Sequence, residues 1–329
     1  MKSLPSFEPM NKSQSAIFRL LGMLIASFCF VSMPLQASTT DNKSTTSKPV
    51  KTKAQKQSGR PFNSRSSNGN GLAREWEPTN ELKSYKQNYF LAYSHTSKPN
   101  YLPTSPNPAN QVVTPLPLQD KEVKFQISLK HILADYDNAG SLWLGYTQLA
   151  FWQAYNQSYA QPFREIIYEP ELIYSLRPNE LSILNFGAVH QSIGQSNPSE
   201  RSWNRVYVEP GVQFSFNAEE RLILQVRWWK IIQEASLKDN PDIGNYLGYR
   251  ELSLRFIQDG GWKINVMSRI LSTQIDIAAP LSVWFLESAE GASGNNLDIH
   301  MQYFNGYGEG LLDYNQSHTT LGIGISFPF

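Results

Sequence analysis

The sequence predicts an all-β protein, a 12-stranded antiparallel transmembrane β-barrel of the bacterial outer membrane. Three observations carry that reading. Segments of alternating apolar and polar residues recur from Tyr89 to the C-terminus. An export signal precedes them, and beyond it no apolar run approaches the ~20 residues that a spanning helix needs. In lipid only helices and closed barrels satisfy their own backbone, so an exported chain of this kind is either soluble or a barrel. The C-terminus favours the barrel: Leu321, Ile323, Ile325, Phe327 and Phe329 alternate with Thr320, Gly322, Gly324, Ser326 and Pro328 and end the chain on an aromatic.

Composition agrees. Lys and Arg number 29 against 28 Asp and Glu, a net charge of +1 that calls for no nucleic-acid partner. The 16 Tyr and 8 Trp suit interfacial girdles. A mean hydropathy of −0.40 is no objection, because a barrel needs apolar residues only at alternate positions.

From the N-terminus, Lys12 and Arg19 precede the apolar run Leu20 to Val31, and the small Ala37 lies just beyond it. Residues 1–37 therefore read as a signal peptide cleaved after Ala37, with Met10 an alternative start to Met1. The single cysteine, Cys29, lies inside that run behind bulky Phe28. A lipoprotein anchor is disfavoured, and the mature chain has no thiol for a disulfide, a nucleophile or a metal site. Residues 38–80 are rich in Ser, Thr, Asn, Lys and Gly and form a disordered arm that cannot bury enough surface to order itself. Lys43, Lys48, Lys51, Lys53 and Lys56 leave open binding to anionic surfaces, although a solvated linker is the simpler reading.

Residues 81–329 form the barrel. Alternation places strands at Tyr89 to His95, Val123 to His131, Ser141 to Asn156, Arg164 to Leu176, Leu181 to Gln191 and Asn204 to Phe216. Six more follow at Arg221 to Ile232, Tyr246 to Gln258, Gly261 to Leu271, Gln274 to Leu286, Asn296 to Gly306 and Thr319 to Phe329. The even count permits antiparallel closure. Short turns at Arg177 to Glu180, Asn217 to Glu220 and Asp259-Gly260 mark one rim. Long loops at Gly194 to Arg201, Ser236 to Asn245 and Gly306 to His318 mark the other, outer rim. Glu169, Glu171, Arg205, Glu209, Arg227, Glu251 and Arg255 fall at lumenal positions. They read as an interior hydrogen-bond network rather than a carboxylate pair for glycoside hydrolysis. Trp143, Trp228, Trp229 and Trp262 are expected in interfacial belts.

The chemistry lies at the outer rim. Leu184, Phe186, Ala188, His190 and Ser192 share one strand face, as do Asn204, Val206 and Val208 on the returning strand. His190 and Ser192 are two residues apart, about 6.7 Å between Cα atoms. A base, a hydroxyl and an amide thus end an apolar stripe near the outer-leaflet interface. Imidazole would make the hydroxyl nucleophilic, and the Asn204 amide oxygen could hold the imidazole as an aspartate does elsewhere. On spacing alone, a histidine and a serine at a strand end also fit a purely structural role.

The string His190-Gln191-Ser192-Ile193-Gly194-Gln195-Ser196-Asn197-Pro198-Ser199-Glu200-Arg201-Ser202-Trp203-Asn204-Arg205 resembles the active-site hairpin of the outer-membrane phospholipase A family. So do Glu122 to Gln126, Gly145 to Gln148, Pro162 to Glu165, Tyr168 to Pro170, Asp239 to Ile243, Gly306 to Glu309 and Asp313 to Asn315. The resemblance implies a twelve-stranded barrel with Ser192 as nucleophile, His190 as general base and Asn204 orienting it, on the exterior. It implies hydrolysis of sn-1 and sn-2 acyl esters of glycerophospholipids and lysophospholipids through an acyl-enzyme. The oxyanion would be held by backbone N–H groups of Ser192 and Gly194, aided by Ca²⁺. In that family calcium lies at a homodimer interface, bound by backbone carbonyls and a hydroxyl side chain from the partner subunit. The carbonyl positions correspond to Ala160 and Gln195, and the hydroxyl position to Glu200, a carboxylate in place of the family's serine. Gln148 shares the lipid-facing phase of Leu144 and Tyr146, and the resemblance implies a partner for it across the dimer; a bulge turning it into the lumen is the other possibility. A catalytically silent barrel, acting as pore or adhesin, would have no need of His190, Ser192 and Asn204 together. A soluble esterase would make the apolar face a core. Head-group, acyl-chain and positional preference and the activating trigger are not encoded in these patterns.

Overall fold

The strands and loops that place the outer rim are seen in a computed structural model, which describes residues 72–158, 163–232, 238–280, 283 and 297–327. The expected signal peptide, residues 38–71 of the arm and Ala160 lie outside the described residues. Among the described residues thirteen strands join one antiparallel sheet: β1 (Lys83–Ser84), β2 (Asn88–Thr96), β3 (Lys121–Asp135), β4 (Ser141–Trp152), β5 (Phe163–Asn179), β6 (Ser182–Ser192) and β7 (Ser202–Ser215), then β8 (Glu220–Ile232), β9 (Arg250–Gln258), β10 (Lys263–Arg269), β11 (Ser272–Pro280), β12 (Asp298–Gly306) and β13 (His318–Phe327). Strands β2 to β13 pair in sequence, β13 returns to β2, and the cycle closes, so the twelve long strands leave no open edge. The short β1 pairs with Leu129 and Lys130 of β3, continuing the edge that β2 occupies further along. Between them Tyr85, Lys86 and Gln87 reach inward, to Glu171, Glu169 and His300 respectively.

Alternation sorts the two faces. Leu144, Leu172, Phe186, Val206, Leu321 and Ile323 are exposed on the outside, where lipid replaces water as their solvent. Inside lie charges that burial would penalise if they were single, and among the described residues most of them are paired. Lys86 meets Glu169 at 2.6 Å and Glu171 at 3.0 Å, Arg227 meets Glu209 at 2.5 Å, Arg269 meets Glu251 at 2.8 Å and Arg205 approaches Glu169 at 3.8 Å. The expected lumenal network is therefore present.

Two apolar layers bracket it. Phe151, Ile167, Val189, Trp203, Trp229, Ile243, Leu247, Leu311, Leu312 and Tyr314 cluster towards the long-loop rim. Leu72, Trp76, Ile132, Trp143, Ile173, Ile183, Ile223 and Ile257 cluster towards the short turns. The second layer corrects the expected arm boundary at residue 80. Leu72–Glu75 is a helical turn, and Leu72 and Trp76 are almost fully buried, with Glu75 paired to Arg255 at 2.8 Å.

Two further expectations give way. Trp143 and Trp229 are buried and face the lumen, whereas Trp228 is 46% exposed on the outside. Adjacent strand residues point to opposite faces, so Trp228 and Trp229 could never share one belt. The strand expected from Tyr246 begins at Arg250, because Ile243–Leu247 is a helical turn ended by Gly248 at φ +68°. Among the hairpins with described connections, those after β3, β5, β7 and β9 are short and those after β2, β6 and β12 are long, as expected. The β10 to β11 link is short at the long-loop rim.

Candidate active site

His190 and Ser192 end β6 and Asn204 begins β7. The register sets His190 opposite Asn204, Gln191 opposite Trp203 and Ser192 opposite Ser202. All even-numbered positions here face outward, and His190 is exposed while Ser192 and Asn204 are half-buried. The Ser192 hydroxyl donates to His190 Nε2 at 3.1 Å, and His190 Nδ1 donates to Asn204 Oδ1 at 2.7 Å. An amide oxygen can only accept, so Asn204 puts the imidazole proton on Nδ1 and leaves Nε2 as the base facing the hydroxyl. The three residues singled out from the sequence are thus in contact, with the connectivity of a hydrolytic triad.

The opposite face of the hairpin locks that register. Gln191 points into the lumen, where its Oε1 accepts from Trp203 Nε1 at 2.6 Å and from Arg205 Nη2 at 3.3 Å. The Arg205 guanidinium lies 3.8 Å from the Trp203 ring centroid, and Trp203 meets Trp229 edge-on. A slip of one residue would break these contacts and turn the triad inward.

Beyond Ser192 the loop begins with Ile193, whose N–H bonds to the Arg201 carbonyl at 3.1 Å. Gly194 follows at φ +60°, and an added Cβ would lie 3.0 Å from the Tyr168 ring. Glycine is required there for both reasons. Gln195 Nε2 donates to the Arg164 carbonyl at 3.3 Å, tying the loop to β5. Glu200 is exposed, and its main-chain carbonyl accepts from Asn110 Nδ2 at 2.8 Å and from Arg201 Nη1 at 2.7 Å. The next loop also reaches the site: Ser202 Oγ donates to Asp239 Oδ2 at 2.7 Å and Ser202 N–H to Asn240 Oδ1 at 3.1 Å.

The 307–317 loop closes the lumen beneath. Its Leu311 and Leu312 N–H groups donate to Glu165 at 3.0 and 2.9 Å, and a side chain at Gly310 would collide with that carboxylate. Arg164 binds Glu122 at 3.1 Å, Glu165 at 3.0 Å and Asp313, so β3, β5 and this loop share one buried guanidinium. Burial alone would raise the Glu309 carboxyl, but the Lys124 ammonium at 2.8 Å and His318 at 2.7 Å outweigh it and hold the group well below the usual carboxylate range.

Gln148 lies outside, in register with Ile127 and Tyr168, and the pairing shows no bulge at that point. Its Oε1 accepts from the Tyr146 hydroxyl at 3.0 Å. Tyr168 is also in register with Ser192, so Gln148, Tyr168, Ser192 and Ser202 form one row across the outer wall. Among the described residues no group of three or more His, Cys, Asp or Glu side chains could hold a metal ion. Sequence reasoning passed over Arg201, Asn110 and Gln191, whose partners lie up to 97 residues away or on the hidden face of the hairpin.

Comparison with known proteins agrees with this architecture. A family model described as phospholipase A1 matches residues 72–327. A relative in Neisseria meningitidis serogroup B is 32% identical over 260 residues, which are 75% of this chain and 65% of that one. The phospholipase A1 of Klebsiella pneumoniae is 30% identical over 220 residues, 62% of this chain and 69% of that one. The Salmonella typhi outer membrane phospholipase dimer with bound calcium has a TM-score of 0.61 at 27% identity, covering 75% of this chain and 92% of that one. The outer membrane phospholipase A of Escherichia coli gives 0.61 at 26%, covering 75% and 98%. This chain, a closed outer-membrane β-barrel with a serine, a histidine and an asparagine joined on its outer wall, belongs to the phospholipase A1 family.

Proposed function

We propose that the protein hydrolyses sn-1 and sn-2 acyl esters of glycerophospholipids and lysophospholipids from the outer wall of its barrel, as a calcium-dependent homodimer. The observation that carries the reading is the joined set Ser192, His190 and Asn204 on the lipid-facing side of a rim hairpin. A glycerophospholipid lying in the outer leaflet presents its ester bonds near that depth. Ser192 Oγ attacks the ester carbonyl carbon as its proton passes to His190 Nε2, and Asn204 accepts from the Nδ1–H of the imidazolium. The backbone N–H groups of Ser192 and Gly194 stabilise the tetrahedral oxyanion. The ester C–O bond breaks, His190 returns the proton to the leaving glycerol oxygen, and an acyl-Ser192 remains. Water then attacks it with His190 as base, releasing the fatty acid and restoring the hydroxyl.

Calcium prefers several oxygen donors, and the loop beside Ser192 offers the Gln195 main-chain carbonyl and the exposed Glu200 carboxylate. These donor types suit such an ion, and the resemblance adds a carbonyl at Ala160, which lies outside the described residues, with the homodimer completing the set. When bound, it would polarise the ester carbonyl as a Lewis acid. Gln148 supports the dimer: Tyr146 satisfies its oxygen, and its Nε2 donors need an acceptor in a medium that has none.

The test is fatty-acid release by the refolded protein in detergent with phospholipid, under calcium or chelator, against Ser192→Ala. Calcium-dependent release that vanishes in the variant is expected. A folded, dimeric parent that releases none would remove the enzymatic reading and leave a silent barrel.

A further inference from the structure

We propose that Arg201 is a positioning residue that fixes the loop of residues 193–201, and with it the oxyanion and calcium donors, beside Ser192. The inference rests on the function proposed above and extends it to a residue that touches neither substrate nor ion. Arg201 closes the loop and is fully buried, which is unusual for an arginine that has no carboxylate partner among the described residues. Its guanidinium instead gathers four main-chain carbonyls. Nη1 donates to Pro198 at 3.3 Å and Glu200 at 2.7 Å, within the loop. Nη2 donates to Thr104 at 3.2 Å and Asn110 at 3.0 Å, in the loop that joins β2 to β3.

The planar fork suits that task, because a single ammonium could not span two loops with fixed geometry. The second loop answers with Asn110, buried itself, whose Nδ2 donates to the Glu200 carbonyl at 2.8 Å and to Asn197 Oδ1 at 3.0 Å. The Glu200 main chain is thus held from two sides, while its side chain stays exposed. The Arg201 carbonyl takes the N–H of Ile193, the residue between Ser192 and Gly194. The Arg201 main chain therefore joins the two ends of the loop, and its side chain anchors the 198–201 end to a loop some 90 residues away in sequence.

The consequence is a division of labour. Asn204 aligns the base, and Arg201 aligns what surrounds the nucleophile. Loss of Arg201 should leave Ser192, His190 and Asn204 in contact, because their strands are fixed from the lumen by Gln191, Trp203 and Arg205. It should loosen Gly194, Gln195 and Glu200 together.

The experiment uses the full mature chain with Arg201→Ala, Arg201→Lys and Asn110→Ala. Calcium chloride is titrated calorimetrically into the detergent-solubilised protein, and fatty-acid release is measured across the same range. Folding is followed by heat-modifiable gel mobility. In a folded Arg201→Ala, half-saturation by calcium should rise at least tenfold, and kcat at saturating calcium should fall at least tenfold while KM stays within twofold. Arg201→Lys, which keeps the charge and loses the fork, should show most of the loss. Asn110→Ala should raise half-saturation severalfold, and keeps the test alive if Arg201→Ala does not fold. Calcium binding and kcat both within twofold of the parent, in folded variants, would overturn the inference and leave the proposed function standing. A parent that binds no calcium and releases no fatty acid would overturn both.

Discussion

At the residue scale, Asn204 meets the His190 imidazole through an amide oxygen, the contact that an aspartate could make, without adding charge in an apolar setting. Ionised carboxylate at the lipid face would be costly, whereas an amide oxygen fixes the tautomer without adding charge. Asn204→Ala should therefore lower kcat by about 10- to 1000-fold with little change in KM, read from phospholipid hydrolysis at saturating calcium; unchanged kcat in a folded variant would remove Asn204 from the machinery. A second residue gives a pH dependence. The Glu309 carboxyl is held low in the folded state, so its contribution is fully present above the unfolded value of about 4.3 and is lost as pH falls towards the folded value. The parent should lose urea stability below about pH 4.3 more steeply than Glu309→Gln, and parallel curves would contradict the assignment. The triad was legible in the sequence because His190 and Ser192 lie two residues apart on one strand face and Asn204 returns on the same hairpin. Arg201 was not, since nothing local shows that it meets carbonyls at Thr104 and Asn110.

At the scale of the strand, alternation located the twelve barrel strands, with the far end of the one expected to reach Leu286 lying outside the described residues, because lipid outside and a filled lumen inside give a strong period-2 signal. It failed where the chain leaves that regime. Ile243–Leu247 keeps apolar residues but spends them on a helical turn against Leu311 and Leu312, and Leu72–Glu75 enters the lumen from a stretch whose composition reads as disordered. The tryptophans teach the same lesson: Trp143 and Trp229 look like girdle residues by type, and their odd-numbered phase places them inside. Phase also decides Gln148, whose strand pairs without a bulge from Trp143 to Phe151, leaving the amide on the outer wall. A polar contact across a dimer in lipid is worth about 0.6–1.7 kcal/mol, so Gln148→Ala should weaken self-association by about 3- to 20-fold. Sedimentation equilibrium in detergent with calcium measures this; identical association constants would place Gln148 outside the interface.

At the scale of the whole barrel, the two rims hold separate apolar clusters, which predicts that they are energetically independent. The outer rim holds the triad and its loops, while the inner end is filled by the segment before β1. Leu72 N–H donates to Gln213 at 2.6 Å, Glu75 binds Arg255, and Lys83 Nζ holds the Arg74 and Glu77 carbonyls at 3.1 and 2.6 Å. Trp76 lies edge-on to Trp143 and Tyr85, with the Lys130 ammonium 3.3 Å from its ring centroid. Removing this segment would strip a buried Leu and a buried Trp from the lumenal cluster, at roughly 1.5–3 kcal/mol for each large apolar side chain. A chain beginning at Glu77 should therefore unfold at lower urea, with a loss of about 3–6 kcal/mol, than one beginning at Ser38. Its activity per folded molecule should stay within about twofold, because sites that share no partners act additively. The lumen should also stay closed to ions, since Leu311, Leu312, Ile243 and Leu247 still fill the other end. Urea titration, fatty-acid release and planar-bilayer conductance on the same two preparations decide it. Full stability after truncation would mean that the segment contributes no net burial, and lost activity in a folded truncated barrel would mean that the inner filling is coupled to the outer site.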